Sequence, residues 1–185
     1  METENSDWVN GSAVRLDGVS EQVRIESSSS LNTVHADLTL SMWVRFDQTT
    51  GTNYESIASV GSWTDQRLNI YPVDGRLQVS AATLGRPSVL VSSPLPFLQN
   101  ADGQFHHIVI AKNADQSQLA LYVDGVLVSE NQSVTGSVDF RGWELAFGGN
   151  SRGQHLLPMT LDSALFYTRG LTPAEVSQLY RAGTR

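Results

Sequence analysis

Short runs in which apolar and polar residues alternate dominate this sequence and restrict the folds that it can adopt. In the run 38–46, leucine, methionine, valine and phenylalanine occupy every second position, which is the period of a strand with one buried face. Asp74-Gly75 and Asp124-Gly125 each lie between two such runs and predict tight hairpins, because both turn residues must adopt positive φ. Further strands are predicted at 12–17, 22–26, 56–61, 67–71, 76–81, 88–92, 105–112, 119–123, 126–128, 143–148 and 159–167. So many short strands with a turn about every ten residues predict an all-β sandwich or barrel.

One helix is predicted near the C-terminus. Thr172 suits the N-cap, Pro173 suits the first helical position, and Glu175 completes a capping box. The apolar face and the terminating glycine that follow are Val176, Leu179, Tyr180 and Gly183. We expect this helix to close an end of the sandwich.

Composition excludes several classes of protein. The 185 residues are predicted to form a single domain, 1–185, that is long enough to bury a hydrophobic core, and the absence of cysteine excludes disulfides. The formal net charge of −7, with Lys112 as the only lysine, argues against a nucleic-acid partner. No run reaches the roughly 18 apolar residues of a membrane span, and no basic segment followed by an apolar stretch indicates a signal peptide.

Three parts of the sequence together resemble one known family. Residues 13–18 with 38–44 resemble the family's opening pattern φ-D-G … T-φ-S-x-W-V. Residues 102–110 with 119–125 resemble its hairpin W-H-H-φ … L-x-L-Y-V-D-G. Residues 161–176 resemble its last pattern, φ-D-x-φ-x-φ-Y-x-R-x-L-S-x-x-E-φ. The family is the laminin G-like group in its concanavalin A-like lectin form, of bacterial type. The resemblance implies a jelly-roll sandwich of two antiparallel sheets with one short C-terminal helix.

The resemblance also implies extracellular recognition, since such domains include glycan-binding modules of hydrolases, parts of adhesins, pentraxin-like lectins and protein-binding laminin modules. We therefore expect a non-catalytic carbohydrate-binding or cell-adhesion module whose partner is a glycan or polysaccharide. It is expected to be secreted or at the cell surface, as part of a larger exported protein. The alternative is a protein-interaction module of laminin G type, which binds an extracellular protein.

A glycoside hydrolase is the minor alternative, because the same jelly roll carries endoglucanases with the signature Glu-x-Asp-x-x-Glu. No glutamate of this chain has aspartate two positions later. The best remaining pair of carboxylates is Asp139 with Glu144, whose spacing does not match the two positioned carboxyl groups of a retaining hydrolase. No nucleophile elbow, phosphate loop or dinucleotide fingerprint is present either. The sequence therefore predicts that the protein is not an enzyme.

Two polar segments are candidates for the ligand site. A tryptophan in a polar loop can stack on a sugar ring, and the outward residues of the next strand can hydrogen-bond its hydroxyls. The candidates in this first segment are Trp63, Arg67, Asn69 and Tyr71. A glycine-rich loop late in the chain adds Asn150, Arg152 and His155. In the alternative interpretation, Trp63 folds back on the sandwich and both segments are ordinary solvated surface.

The predicted cofactor is calcium. The resemblance suggests that the aspartate opening the last long strand, Asp162, lies near the N-terminal Asp17, so that one ion clamps the two ends of the chain together. The alternative is that Asp17 forms a turn and Asp162 a hydrogen-bonded cap. The side chains of His106 and His107 point to opposite faces of a strand and cannot share an ion. His107 is in phase with Phe105 and Val109, so we expect it to be a hydrogen-bonded core residue.

Overall fold

The structure, a computed structural model, describes residues 12–46, 55–62, 64–83, 88–93 and 103–184. In these ranges the chain forms fourteen strands and one helix. They are β1 (Val14–Asp17), β2 (Val23–Ile25), β3 (Val34–His35), β4 (Leu38–Arg45), β5 (Ala58–Ser62), β6 (Asp65–Val73), β7 (Arg76–Ala82), β8 (Ser88–Ser92), β9 (Phe105–Asn113), β10 (Gln118–Val123), β11 (Val126–Asn131), β12 (Val138–Asp139), β13 (Leu145–Phe147), β14 (Pro158–Tyr167) and α1 (Pro173–Gly183).

Two six-stranded antiparallel sheets form the sandwich. The first sheet has the order β1-β14-β4-β9-β10-β11, and the second has the order β2-β13-β5-β6-β7-β8. Strands β12 and β3 form a separate pair. The predicted all-β sandwich with a short C-terminal helix is confirmed.

Both Asp-Gly hairpins form as predicted. Asp74 and Gly75 join β6 to β7 with φ angles of 49° and 75°, and Asp124 and Gly125 join β10 to β11 with 51° and 76°. Positive φ at both central residues gives a turn whose twist matches that of the flanking strands. The turns therefore set the register of the two hairpins locally.

Strand alternation builds the main core between the sheets. In β4, residues Leu38, Leu40, Met42 and Val44 are essentially inaccessible and belong to one cluster that spans the two sheets. Packing at this density is the main source of the stability of such a domain. No helix in the described part of the chain has the length and apolar character needed to cross a bilayer.

Helix α1 covers a face of the first sheet, which corrects the expectation that it closes an end of the sandwich. Its N-cap is as predicted: Thr172 Oγ1 accepts a hydrogen bond from the backbone N–H of Glu175 at 3.3 Å, and the Glu175 carboxylate accepts one from the Thr172 N–H at 2.8 Å. The helix packs on the apolar outer face of β9 and β10, and Val176 belongs to this second cluster. The other cluster members are Val109, Ala111, Ala120, Tyr122 and Leu171. Because these two strands are apolar on both faces, the outer face also needs a cover.

Three stacked rings lie between the helix and the first sheet. The centroid of the Trp43 side-chain rings is 5.0 Å from that of His107 and 5.6 Å from that of Tyr180. A Cβ atom on Gly183 would lie 2.4 Å from the Trp43 ring, so glycine is the residue that allows this close approach. His107 Nε2 lies 2.8 Å from Ser41 Oγ, and burial lowers the pKa of His107 to about 4. The prediction that His107 is a hydrogen-bonded buried residue is confirmed.

Candidate functional site

The outward face of β6 was the first predicted ligand surface, and the structure corrects its exposure. Asn69 is only 3% exposed, although Leu68 and Ile70 face the core as predicted. Arg67 forms an ion pair with Asp65, with 2.9 Å between Nε and Oδ1. Tyr71 is half-buried and pairs with Gln78 across the β6–β7 hairpin, while Trp63 lies outside the described residues.

The cover over Asn69 is the glycine-rich loop 148–157, which lies across β5. The Ser151 N–H donates to Gly61 O at 3.2 Å, and Gly61 N–H donates to Ser151 Oγ at 3.0 Å. At the other end of the strand, the Ser56 N–H donates to His155 O at 2.9 Å. These bonds hold the loop against the second sheet, so the two predicted ligand segments meet in one place.

Asn69, Asn150 and His155 line a small cavity between this loop and the sheet. Asn150 is 3% exposed, and its Oδ1 accepts hydrogen bonds from the backbone N–H groups of Arg152 and Gln154 at 2.9 and 3.0 Å. The cavity measures about 10 Å³. That is room for about one water molecule and is far below the volume of a saccharide site. The structure therefore places Asn69, Asn150 and His155 around a cavity too small for a saccharide, and Asn150 fixes the loop through the hydrogen bonds that its Oδ1 accepts.

Replacing Asn150 by alanine is expected to lower the free energy of unfolding by about 1–3 kcal/mol, because two N–H groups of the loop lose their acceptor. Chemical denaturation measures this change. The matched control is Gln154→Ala, which removes an exposed side chain and keeps the backbone N–H that Asn150 binds. Equal stabilities of the two variants would contradict this role of Asn150.

A larger groove lies on the other side of the same loop, along one edge of the sandwich. It is lined by residues 14–16 of β1, by the segment 20–24, and by Arg152, Gly153 and Leu156. Its volume is about 550 Å³, which is within the range of small-ligand sites. Among the strands that the structure describes, β1 and β2 lie at the edges of opposite sheets, so within these sheets each has one row of backbone N–H and C=O groups without a strand partner.

Asp17 shapes the groove by folding the turn between β1 and β2. Its Oδ1 accepts hydrogen bonds from the backbone N–H groups of Val19, Ser20 and Glu21 at 2.8, 2.9 and 3.0 Å, and its Oδ2 accepts one from Ser20 Oγ at 3.0 Å. These donors lower the pKa of Asp17 to about 2, because they stabilise its charged form. The turn directs the chain from the edge of one sheet to the edge of the other.

Three exposed arginines line this groove: Arg15, Arg24 and Arg152. Arg24 pairs with Glu144 at 3.4 Å, and the guanidinium of Arg152 lies over the Trp143 ring, 5.6 Å from its centroid. Sequence reasoning identified Arg152 but missed Arg15 and Arg24. A signal was present, because Arg15 precedes the buried Leu16 in β1 and therefore points outward.

The structure does not bring Asp17 and Asp162 together. Asp17 pairs with Pro158, and Asp162 lies four residues further along β14, a separation of about 13 Å along the strand. Calcium ligands lie 2.3–2.6 Å from the ion, so the expected sharing of one ion is wrong in its geometry. Asp162 is buried and its Oδ1 accepts a hydrogen bond from Ser163 Oγ at 2.9 Å. Among the residues that the structure describes, no three histidine or acidic side chains lie close enough together to hold a metal ion. Calcium binding stays a prediction.

Asp139 and Glu144, the best remaining pair of carboxylates, are each engaged by an arginine. Asp139 forms two hydrogen bonds of 2.9 Å with the Arg141 side chain, which lowers the pKa of Asp139 to about 2. Glu144 is the partner of Arg24. A general acid needs a raised pKa, and that of Asp139 is shifted in the opposite direction.

A protein-family comparison agrees with the fold and with the resemblance seen in the sequence. Residues 17–177 match the family model described as the concanavalin A-like lectin/glucanases superfamily. No curated protein sequence matches the chain.

Several solved structures share the fold. The binding domain of Paraclostridial Mosquitocidal Protein 1 aligns with a TM-score of 0.75 and 19% identity, over 94% of this chain and 44% of that one. The heptameric SAP-like pentraxin from Limulus polyphemus aligns with a TM-score of 0.63 and 16% identity, over 86% of this chain and 75% of that one. The binding domain of Botulinum Neurotoxin DC, in complex with SialylT, aligns with a TM-score of 0.65 and 12% identity, over 87% of this chain and 39% of that one. The chain thus spans less than half of each toxin domain. The family match over most of the sequence shows that the chain belongs to the concanavalin A-like lectin/glucanase superfamily.

Proposed function

We propose that this protein is a non-catalytic carbohydrate-binding module and that it holds its saccharide in the arginine-lined groove between β1, β2 and the loop 148–157. The observation that carries the proposal is the groove itself, with a volume of about 550 Å³ and charged, backbone and apolar surfaces. Lectin-like neighbours support it: one is a pentraxin, and another is a toxin binding domain in complex with SialylT.

The chemistry of the groove suits a sugar. The open edges of β1 and β2 offer backbone donors and acceptors to hydroxyl groups. Val14, which is 50% exposed, and Leu156 offer apolar surface to the C–H face of a ring. Stacking on Trp143 orients Arg152 and leaves the N–H donors in the plane of its guanidinium.

Binding rather than hydrolysis is the activity that we propose, although the superfamily also contains glucanases. The proposal rests on the missing Glu-x-Asp-x-x-Glu signature and on the arginine partners of Asp139 and Glu144. A secreted or cell-surface location, as part of a larger exported protein, and a role in adhesion are part of this proposal and follow from the sequence resemblance.

A glycan array, followed by titration calorimetry with the glycans retained, tests the proposal. Arg152→Ala is expected to weaken binding by roughly tenfold to a hundredfold, because hydrogen bonds from a charged group are worth about 1.5–3 kcal/mol. The matched control is Arg181→Ala, which removes the same charge from the exposed last turn of α1.

Two results would contradict the proposal. If the array retains no glycan, the carbohydrate function is wrong. The edges of β1 and β2 would then favour the protein-interaction alternative, because an extended peptide can pair with an edge strand. If glycans bind but Arg152→Ala and Arg181→Ala behave alike, the saccharide lies outside the groove.

A further inference from the structure

We infer that the groove selects saccharides that carry a carboxylate or sulfate group over their neutral counterparts. The inference rests on the proposed carbohydrate-binding function and adds the class of ligand. Three observations support it. They are the position of the arginines on an acidic protein, the hydrogen bonds and ion pairs of the acidic side chains near the groove, and the planar shape of the guanidinium groups.

Positive charge is concentrated here against the overall balance of the chain. The protein has 19 acidic and 12 basic residues, and its one lysine, Lys112, is fully buried elsewhere. Arginine is thus the cation of this surface, and three arginines, Arg15, Arg24 and Arg152, line a single groove with one acidic residue, Glu21. A local positive potential on a protein of net charge −7 attracts an anion only at short range, once the ligand is within about a Debye length.

One acidic residue, Glu21, lines the groove, and the acidic groups Asp17 and Glu144 are engaged by hydrogen bonds or an arginine. Asp17 accepts four hydrogen bonds within its own turn, and Glu21 Oε2 accepts one from the Asp17 N–H at 3.1 Å. Glu144 pairs with Arg24 at 3.4 Å, and the side chain of Arg24 is 54% exposed and that of Glu144 is 35% exposed. Such a solvated pair is weak, so the oxyanion of a ligand can replace Glu144 at little cost.

The donors fit an oxyanion. A guanidinium presents N–H groups in a planar fork that matches the two oxygens of a carboxylate or sulfate. Trp143 holds Arg152 by its face, which orients this fork, and Arg24, which also lines the groove, provides a second one. The apolar Val14 and Leu156 in the same groove favour an anion attached to a sugar ring over a free inorganic ion.

The test compares matched pairs of ligands on the purified full chain by titration calorimetry. One pair is a glucuronate-containing oligosaccharide and the same oligosaccharide with its carboxylates reduced to alcohols. The other pair is a sulfated oligosaccharide and its desulfated form. The acidic member of at least one pair is expected to bind at least tenfold more tightly, and the pair that does so distinguishes carboxylate from sulfate.

Substitutions of the arginines test whether the groove causes this preference for acidic saccharides. Arg24→Gln and Arg152→Gln keep polar side chains without the charge, and each is expected to reduce the acid-to-neutral ratio of dissociation constants, while Arg181→Gln leaves this ratio unchanged. Because all three side chains are exposed, unchanged melting temperatures are expected to show that the variants fold.

The outcomes separate this inference from the proposed function. Equal binding of acidic and neutral members overturns the inference and leaves the carbohydrate function intact. Binding of neither member, together with an array that retains no glycan, overturns both. If an acidic peptide of glutamate residues competes as well as the acidic saccharide, the groove recognises charge alone and the saccharide class is wrong.

Discussion

Replacing Trp43 by alanine is expected to lower the free energy of unfolding by about 3–5 kcal/mol. Trp43 is 5% exposed and lies between the first sheet and α1, with His107 and Tyr180 stacked near it and Gly183 in close contact. Its removal leaves a cavity that the rigid sheet cannot close, and the helix loses the ring on which its last turn packs. Denaturation in urea followed by circular dichroism measures the loss.

Trp43→Phe is the matched control, because a phenyl ring keeps part of the stacked surface. We expect it to be destabilised by less than half as much as Trp43→Ala. A second measurement checks the mechanism: amide hydrogen exchange of α1 should become faster in Trp43→Ala, since the helix would open separately from the main core. An alanine variant as stable as the wild-type protein would show that the helix does not depend on this stack.

Acidification from pH 6.5 to 4 is expected to remove about 3 kcal/mol of stability through His107 alone. Burial lowers the pKa of His107 from 6.5 to about 4, so in this interval the unfolded chain binds a proton that the folded protein does not bind. Stability from this residue is complete above pH 6.5 and falls as the pH decreases toward 4. Burial also lowers the pKa of His35, which adds in the same direction.

Carboxylates act mainly in a lower range of pH. The pKa values of Asp17, Asp139 and Glu175 are each lowered to about 2, so their contributions are complete above about pH 5 and are lost as the pH falls toward 2. His107→Gln is therefore expected to be less stable at pH 7 and to show a shallower dependence on pH between 6.5 and 4. Urea denaturation at half-unit steps of pH measures the slopes. A slope identical to that of the wild-type protein would show that His107 does not carry the effect.

The loop 148–157 packs against the second sheet on one side and lines the proposed ligand groove on the other. On one side Asn150 holds it against the second sheet, and on the other side Arg152 lines the groove. The hydrogen bonds that Asn150 Oδ1 accepts from the backbone N–H groups of Arg152 and Gln154 thus fix the base of the proposed ligand contact. Asn150→Ala is for this reason expected to affect both stability and binding, whereas Arg152→Ala affects binding alone.

Local features of the sequence determined most secondary-structure elements of this protein. Alternation marked β4, β6 and β7, because a strand in a sandwich has one buried face, and the Asp-Gly pairs marked their hairpins, because positive φ is a local requirement. Thr172 and Glu175 marked the start of α1 through contacts three residues apart. The in-phase neighbours of His107 were enough to predict its burial, and the motifs in order along the chain were enough to identify the family.

Contacts between residues distant in sequence determined the remaining features of the structure. A periodic pattern in the sequence does not reveal such contacts. Strands β3 and β12 have two residues each, too few to show a period. The apolar outer face of β9 and β10 shows that a cover is needed, but only the packed structure shows that α1 provides it. Asn69 is buried because the loop 148–157 crosses β5, through pairs such as Ser59 and Gly149 that are 90 residues apart. The groove has the same origin, because it joins the edges of two opposite sheets, and alternation tells which face of a strand is polar but not which strand lies at an edge.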